Sequence, residues 1–268
     1  MNPSLKLVPL LLFAMTVTAN CQNSNEITDP EKTEIWEPQP PVVEPGHYST
    51  EPPPDATILF DGTSLDHWEK LNGGDVEWEL GDGYMTVKPG TGDIRTRQDF
   101  RDVQLHVEWR APEVIEGEGQ GRGNSGIFLQ ERYEVQVLDN WENPTYSNGM
   151  NGSIYKQHIP LANPAKRPGE WQSYKIYYKA PRFDDNGDVK RPARFTVVLN
   201  GILIQNNVEV FGRTVYIGAP EYDAHGPAGI RLQDHGDLVS FRNIWVRELD
   251  SELMDTQGIW RDPPGEDE

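Results

Sequence analysis

Between residues 56 and 249 the sequence falls into short runs of alternating apolar and polar side chains, each closed by a turn signal, and no stretch sustains a helical period. Val103-Gln104-Leu105-His106-Val107-Glu108-Trp109 is the cleanest run. Its apolar residues recur every second position, which in an extended strand places them all on one face. Residues 57–60, 76–80, 84–87, 173–178, 194–200, 202–204, 228–233 and 238–246 read as strands as well. Asn200-Gly201, set between two such runs, is a strong hairpin signal, because a tight primed turn needs positive φ at both central residues. Many short strands at this spacing predict an all-β antiparallel sandwich or barrel. The second strand group, residues 76–87, is expected to pair with the second-last, residues 228–233.

The chain of 268 residues is long enough to bury a sizeable core. Its net charge of −19 leaves no basic stripe to meet phosphates, which argues against nucleic acid as a partner. Eight Trp and ten Tyr suit both a packed core and the apolar faces of sugars. Cys21 is the single cysteine, so no disulfide can form within the chain. It closes a stretch with Lys6 as a positive start and an apolar run over residues 7–17, a secretory signal too short for an ordinary transmembrane helix. Ala19-Asn20-Cys21 resembles a bacterial lipobox. Residues 1–21 are therefore expected to be a lipoprotein signal peptide, with Cys21 lipidated and the protein exported and held at a membrane by its lipid alone. Cleavage after Ala19 is the alternative. Residues 22–55 are polar and proline-rich, with Glu51-Pro52-Pro53-Pro54 at their end, and predict a disordered spacer. Residues 56–249 form the expected folded domain. Residues 250–268 form an acidic tail, with Trp260 able to pack back on the domain. The oligomeric state is not specified.

Tyr133-Glu134-Val135-Gln136-Val137-Leu138-Asp139 carries the strongest functional signal. As a strand it directs Tyr133, Val135 and Val137 to the core and Glu134 and Gln136 to the other face. A bulge of one residue would return Asp139 to the face of Glu134, and two carboxylates together suit work on a glycosidic bond. A plain solvated face is the competing reading. The preceding loop, residues 117–126, is too glycine-rich for a strand interior and is expected at the rim of that face, where backbone without Cβ lets a ligand approach.

Phe60-Asp61-Gly62-Thr63-Ser64-Leu65, Trp68, Trp78, Asp82-Gly83, Gly123-Asn124-Ser125-Gly126-Ile127-Phe128 and the strand around Glu134 resemble, in order, the 3-keto-disaccharide hydrolase family, also known as domain of unknown function 1080. Gly152-Ser153-Ile154-Tyr155, Pro168-Gly169-Glu170-Trp171, Leu199-Asn200-Gly201, Gly229-Ile230-Arg231-Leu232-Gln233-Asp234-His235-Gly236 and Phe241-Arg242-Asn243-Ile244 continue the resemblance. It implies a concanavalin A-like jelly-roll sandwich of two antiparallel sheets, an exported bacterial protein, and cleavage of glycosides oxidised at C3. Gln130 departs from the family, standing where many relatives carry Arg, and residues 182–191 look like an insertion.

A keto group at C3 acidifies the hydrogen on C2, so the C1 substituent can leave by elimination and water can then add. That chemistry needs a base at C2, an acid at the glycosidic oxygen and a donor for the enolate oxygen. Glu134 is the expected base or acid and Asp139 its partner, while His235, on a glycine-flanked turn, could shuttle protons. Arg122, Lys156 and His158 could stabilise the enolate, with Asn124, Gln130, Gln136 and Gln233 as further substrate contacts. No fixed-spacing metal motif occurs and no cofactor is required, although Glu134, Asp139 and His158 could hold a divalent cation. Two alternatives stand beside this reading. One is a carbohydrate-binding module without catalysis. The other is a laminarinase-like direct glycoside hydrolase, whose Glu-x-Asp-x-x-Glu spacing is echoed by Glu134-x-Gln136-x-x-Asp139 without its middle carboxylate.

Overall fold

The computed structural model describes residues 39–250 and Leu253. The signal segment, Cys21, the first part of the spacer and the tail with Trp260 lie outside the described residues. The strands in chain order are β1 (Thr57–Phe60), β2 (Trp68–Lys70), β3 (Glu79–Gly81), β4 (Tyr84–Thr86), β5 (Ile94–Thr96), β6 (Val103–Arg110), β7 (Ser125–Leu129) and β8 (Tyr133–Val137). After a long loop come β9 (Gln172–Lys179), β10 (Arg182–Phe183), β11 (Val189–Arg191), β12 (Arg194–Leu199), β13 (Ile202–Glu209), β14 (Arg231–Leu232) and β15 (Ser240–Glu248). The larger sheet has the order β13-β12-β9-β6-β15-β4-β3, with β1 also against β15, and the smaller has the order β2-β5-β14-β7-β8. Every strand pairing in them is antiparallel.

Alternation explains why the two sheets share one core. Val103, Leu105, Val107 and Trp109 of β6 and Tyr133, Val135 and Val137 of β8 all belong to the same buried apolar cluster. The fold is thus the all-β sandwich of two antiparallel sheets expected from the strand pattern. Asn200 (φ 51°) and Gly201 (φ 82°) form the primed turn between β12 and β13. The insertion at residues 182–191 folds as its own ribbon, β10 against β11.

Two expectations are corrected. The group at residues 76–87 lies beside β15 in the larger sheet, where Met85 faces Phe241, whereas β14 of the second-last group lies in the smaller sheet between β5 and β7. Trp171, which as a large aromatic just before a strand could be expected in the core, is half-buried against the guanidinium groups of Arg110 and Arg242, which lie 4.8 and 4.1 Å from its ring. The last residues of the proline-rich segment lie against the domain: the Thr50 carbonyl accepts from Asn243 Nδ2 and Trp245 Nε1, and Asp55 pairs with Arg247.

Asp102, buried just before β6, accepts hydrogen bonds from the Ala180 amide at 2.7 Å and from Arg182 Nη2 at 2.5 Å. Truncation would take the buried carboxylate from the half-buried Arg182 guanidinium and from the Ala180 amide. Asp102→Ala is therefore expected to destabilise the fold by about 3–5 kcal/mol, read as a lower denaturation midpoint at unchanged slope.

Candidate active site

The floor of the site is built by strand register. Arg231 on β14 sits opposite Phe128 on β7, and Phe128 sits opposite Glu134 on β8. Directly paired residues point to the same face, so these three form one row across the sheet, away from the core. Beyond β8 the segment around Ile154 continues the sheet: Val135 bridges Ile154, and the Tyr155 amide donates to the Glu134 carbonyl at 3.2 Å. A second row holds Gln233, Gly126 and Gln136, with the Gln233 amide bonded to the Gly126 carbonyl and Gly126 opposite Gln136.

Gly126 shapes the floor between the rows. A Cβ there would come within 2.7 Å of both Glu134 Oε1 and the Phe128 ring, so only glycine leaves space for those side chains. The result is a cavity of about 490 Å³, within the range of small-ligand sites. Gln120 and Asn124 of the glycine-rich loop lie at its rim, as expected of that loop. The loop is pinned there by Asp237, which accepts from the Asn124 amide at 2.7 Å, and by Ser125 Oγ, which donates to the Gln233 carbonyl at 2.7 Å. Tyr146, Tyr155 and Tyr216 form one wall. Their arrangement is held by a hydrogen bond of 2.7 Å between the Tyr146 and Tyr155 hydroxyls and by Lys156 Nζ, which donates to the Tyr216 carbonyl and lies 4.2 Å from that ring.

Glu134 is the electrostatic centre. It is 4% exposed, yet its carboxylate accepts no hydrogen bond from the described residues. Burial pushes its pKa up to about 8, opposed by the Arg231 guanidinium and assisted by Asp93. Arg231 reaches over the Phe128 ring at 3.6 Å and pairs with Asp93 at 3.4 Å, while burial draws its own pKa down. Gln136 Nε2 donates to Gln120 and Asn124, and its Oε1 is buried without a hydrogen-bond partner among the described residues.

Burial of Glu134 also makes stability depend on pH. The native state keeps a proton on Glu134 that the unfolded chain gives up near pH 4.5, so folding binds the proton over the interval up to about pH 8. The stabilising contribution is complete below about pH 4.5 and is lost as pH rises to about 8. Wild type is expected to lose on the order of a few kcal/mol across this window relative to Glu134→Gln, measured as paired denaturation midpoints at about pH 5 and about pH 9.

Of the residues expected at the site from sequence, Glu134, Gln136, Asn124, Gln233 and His235 line the cavity together. The others do not. The regular pairing of β7 with β8 ends at Val137, and Asp139, beyond it, does not line the cavity with Glu134. Asp139 instead binds Arg122 Nε at 2.7 Å and accepts from the Trp141 amide, beside a separate hollow of about 120 Å³. Arg122 is thereby removed from the enolate role as well. Gln130 takes positive φ in the β7–β8 turn and turns inward, donating to the Phe100 carbonyl and accepting from the Tyr178 hydroxyl. Lys156 is exposed behind the tyrosine wall, and His158 bonds the Glu209 carbonyl and packs on Phe211. Glu134, Asp139 and His158 therefore do not converge on a cation, and no group of three or more His, Cys, Asp or Glu with metal-holding geometry occurs among the described residues. Arg231, Phe128, Thr214 and the three tyrosines belong to the site without having been expected there. Alternation could have found Arg231, which stands two residues before Gln233, and Tyr155, which comes directly after core Ile154.

The family model described as the 3-keto-alpha-glucoside-1,2-lyase-like domain matches residues 55–247. The chain belongs to that family. It is 27% identical over 237 residues to a 3-keto-disaccharide hydrolase of Bacteroides thetaiotaomicron, covering 72% of this chain and 78% of that protein. A crystal structure of a candidate glycosyl hydrolase from Parabacteroides distasonis is 50% identical, covering 82% of this chain and 97% of its own, with a TM-score of 0.78. Another from the same organism, 24% identical over 73% of this chain and 94% of its own, has a TM-score of 0.55 and shows a likeness of fold. The chain is thus an enzyme of the 3-keto-disaccharide hydrolase and 3-keto-glucoside lyase family, and the non-catalytic binding module is set aside.

Proposed function

We propose that this 3-keto-glucoside lyase-like protein cleaves the glycosidic bond of 3-keto-glucosides by elimination, with Glu134 as the base that removes the C2 proton. The observation that carries the reading is Glu134 itself: a buried carboxyl that accepts no hydrogen bond among the described residues, open to a sugar-sized cavity, with a pKa raised to about 8. A carboxylate this basic takes a carbon-bound proton better than an ordinary one. Arg231 supplies the positive charge for the enolate oxygen on C3, and its low-dielectric setting strengthens that contact. Gln136, Asn124 and Gln233 offer donors and acceptors for the remaining hydroxyls. Export and a lipid anchor at Cys21 would place this activity at a membrane surface.

Direct hydrolysis through two carboxylates is disfavoured, because the second carboxylate, Asp139, is tied to Arg122 outside the cavity. The test incubates the protein with matched native and 3-keto glucosides in D₂O. The expected result is deuterium at C2 and turnover of the oxidised sugar, with kcat/KM rising towards a plateau above about pH 8. Turnover of the unoxidised sugar alone, or a rate that falls above that pH, would overturn the assignment.

A further inference from the structure

The order of the strands fixes which way round a substrate must lie. Arg231 is two strands to one side of Glu134, across Phe128, and Tyr155 is the neighbour on the other side. Adjacent strands are about 4.8 Å apart, so Tyr155 flanks Glu134 directly, while Arg231, one strand further on the other side, lays its long side chain over the intervening Phe128 ring and acts on Glu134 through its charge. In a pyranose, C2 lies between C3 and C1. With C2 at Glu134 and the C3 oxygen at Arg231, the bond from C1 to the leaving oxygen must face the tyrosine wall. The group available there is the Tyr155 hydroxyl, half-buried and 2.7 Å from the Tyr146 hydroxyl.

We propose that Tyr155 is a catalytic residue that gives its hydroxyl proton to the oxygen leaving C1, relayed by Tyr146, and that the tyrosine wall receives the departing alcohol or sugar. The assignment rests on the elimination reading for its substrate. Protons and electron pairs balance through the step. Glu134 takes the C2 proton and the C–H pair becomes the enolate. As the enolate collapses, C1=C2 forms and the C1–O bond breaks. The leaving oxygen takes the proton of Tyr155, and the proton held by Glu134 restores the tyrosine through pocket solvent. The products are the free alcohol and the unsaturated 3-keto sugar, to which water then adds. Tyr146 is 40% exposed and Tyr216 is 71% exposed at the mouth of the cavity, where their rings offer stacking surface to a sugar leaving group.

The experiment compares wild type with Tyr155→Phe, which keeps the ring, on 3-keto glucosides with a sugar leaving group and with a nitrophenol leaving group. A nitrophenolate departs without a proton. The variant is expected to lose about 10²-fold or more in kcat on the sugar substrate and less than about tenfold on the aryl substrate. Equal losses on both, or no loss on the sugar substrate, overturn the role. Tyr146→Phe should show the same asymmetry with a smaller loss. Wild type is also run across a series of phenols and alcohols, where a shallow dependence of rate on leaving-group acidity is expected and a steep one overturns the role even if Tyr155→Phe does not fold. Deuterium exchange at C2 separates the two ideas. Tyr155→Phe should still exchange C2 while cleavage of the sugar substrate stalls, whereas no exchange in wild type rejects the elimination reading whatever the leaving-group series shows.

Discussion

Glu134→Gln is expected to lower kcat on 3-keto glucosides by about 10²–10⁴-fold while leaving the fold intact, and to abolish deuterium incorporation at C2. Gln is nearly isosteric, so Phe128 and Gly126 keep their contacts, and a neutral amide suits a buried position better than a carboxylate forced to ionise. The variant should therefore be at least as stable as wild type at neutral pH. That pairing of lost turnover with retained stability distinguishes a catalytic carboxyl from a structural one. Retained turnover in the variant, with C2 exchange unchanged, would remove Glu134 from the reaction. A calorimetric titration with 3-keto glucoside should give affinity close to wild type, because the uncharged side chain still hydrogen-bonds the sugar.

Arg231→Gln should have the next largest effect, a loss of about 10²–10³-fold in kcat, the range seen when one donor to a developing oxyanion is removed. A pH signature accompanies it. The Arg231 cation holds the Glu134 pKa down against burial, so its removal lets that pKa rise further and moves the rising limb of the pH–rate profile to higher pH. Wild type should turn near pH 8 and the variant above it. A fall in rate without displacement of that limb would mean that Arg231 binds substrate without acting on the base. Arg231→Lys should recover only part of the activity, since an ammonium on a flexible stem cannot lie flat over the Phe128 ring as the planar guanidinium does.

Much of this arrangement is legible one strand at a time. The period-two pattern at residues 133–137 places Tyr133, Val135 and Val137 in the core and Glu134 and Gln136 on the open face, and the structure agrees. Turn chemistry at Asn200-Gly201 and the glycine-rich loop at the rim are equally local, and the ordered motifs carry the family. Asp139 departs from its expected place because it lies beyond the end of β8, where strand alternation no longer governs which way a side chain points. Its carboxylate has Arg122 within reach and forms a buried ion pair with it, and no sequence spacing reports a partner 17 residues away. Gln130 departs for a similar reason. A positive φ in the turn carries it inward to Phe100 and Tyr178, far along the chain.

The amino-acid order alone therefore settles strand identity, the facing of each side chain within a strand and the chemical type of the central residue, since all three derive from backbone geometry within a few residues. Which strands become neighbours, and so which side chains stand beside Glu134, comes from long-range pairing. β14 reaches β7 across about a hundred residues of chain, and residues 154–155 return to β8 through a loop. That assembly brings in Arg231 and Tyr155 and sends Lys156 and His158 elsewhere. It also raises the pKa of Glu134, because desolvation is a property of everything packed around a group and not of the residues next to it in sequence.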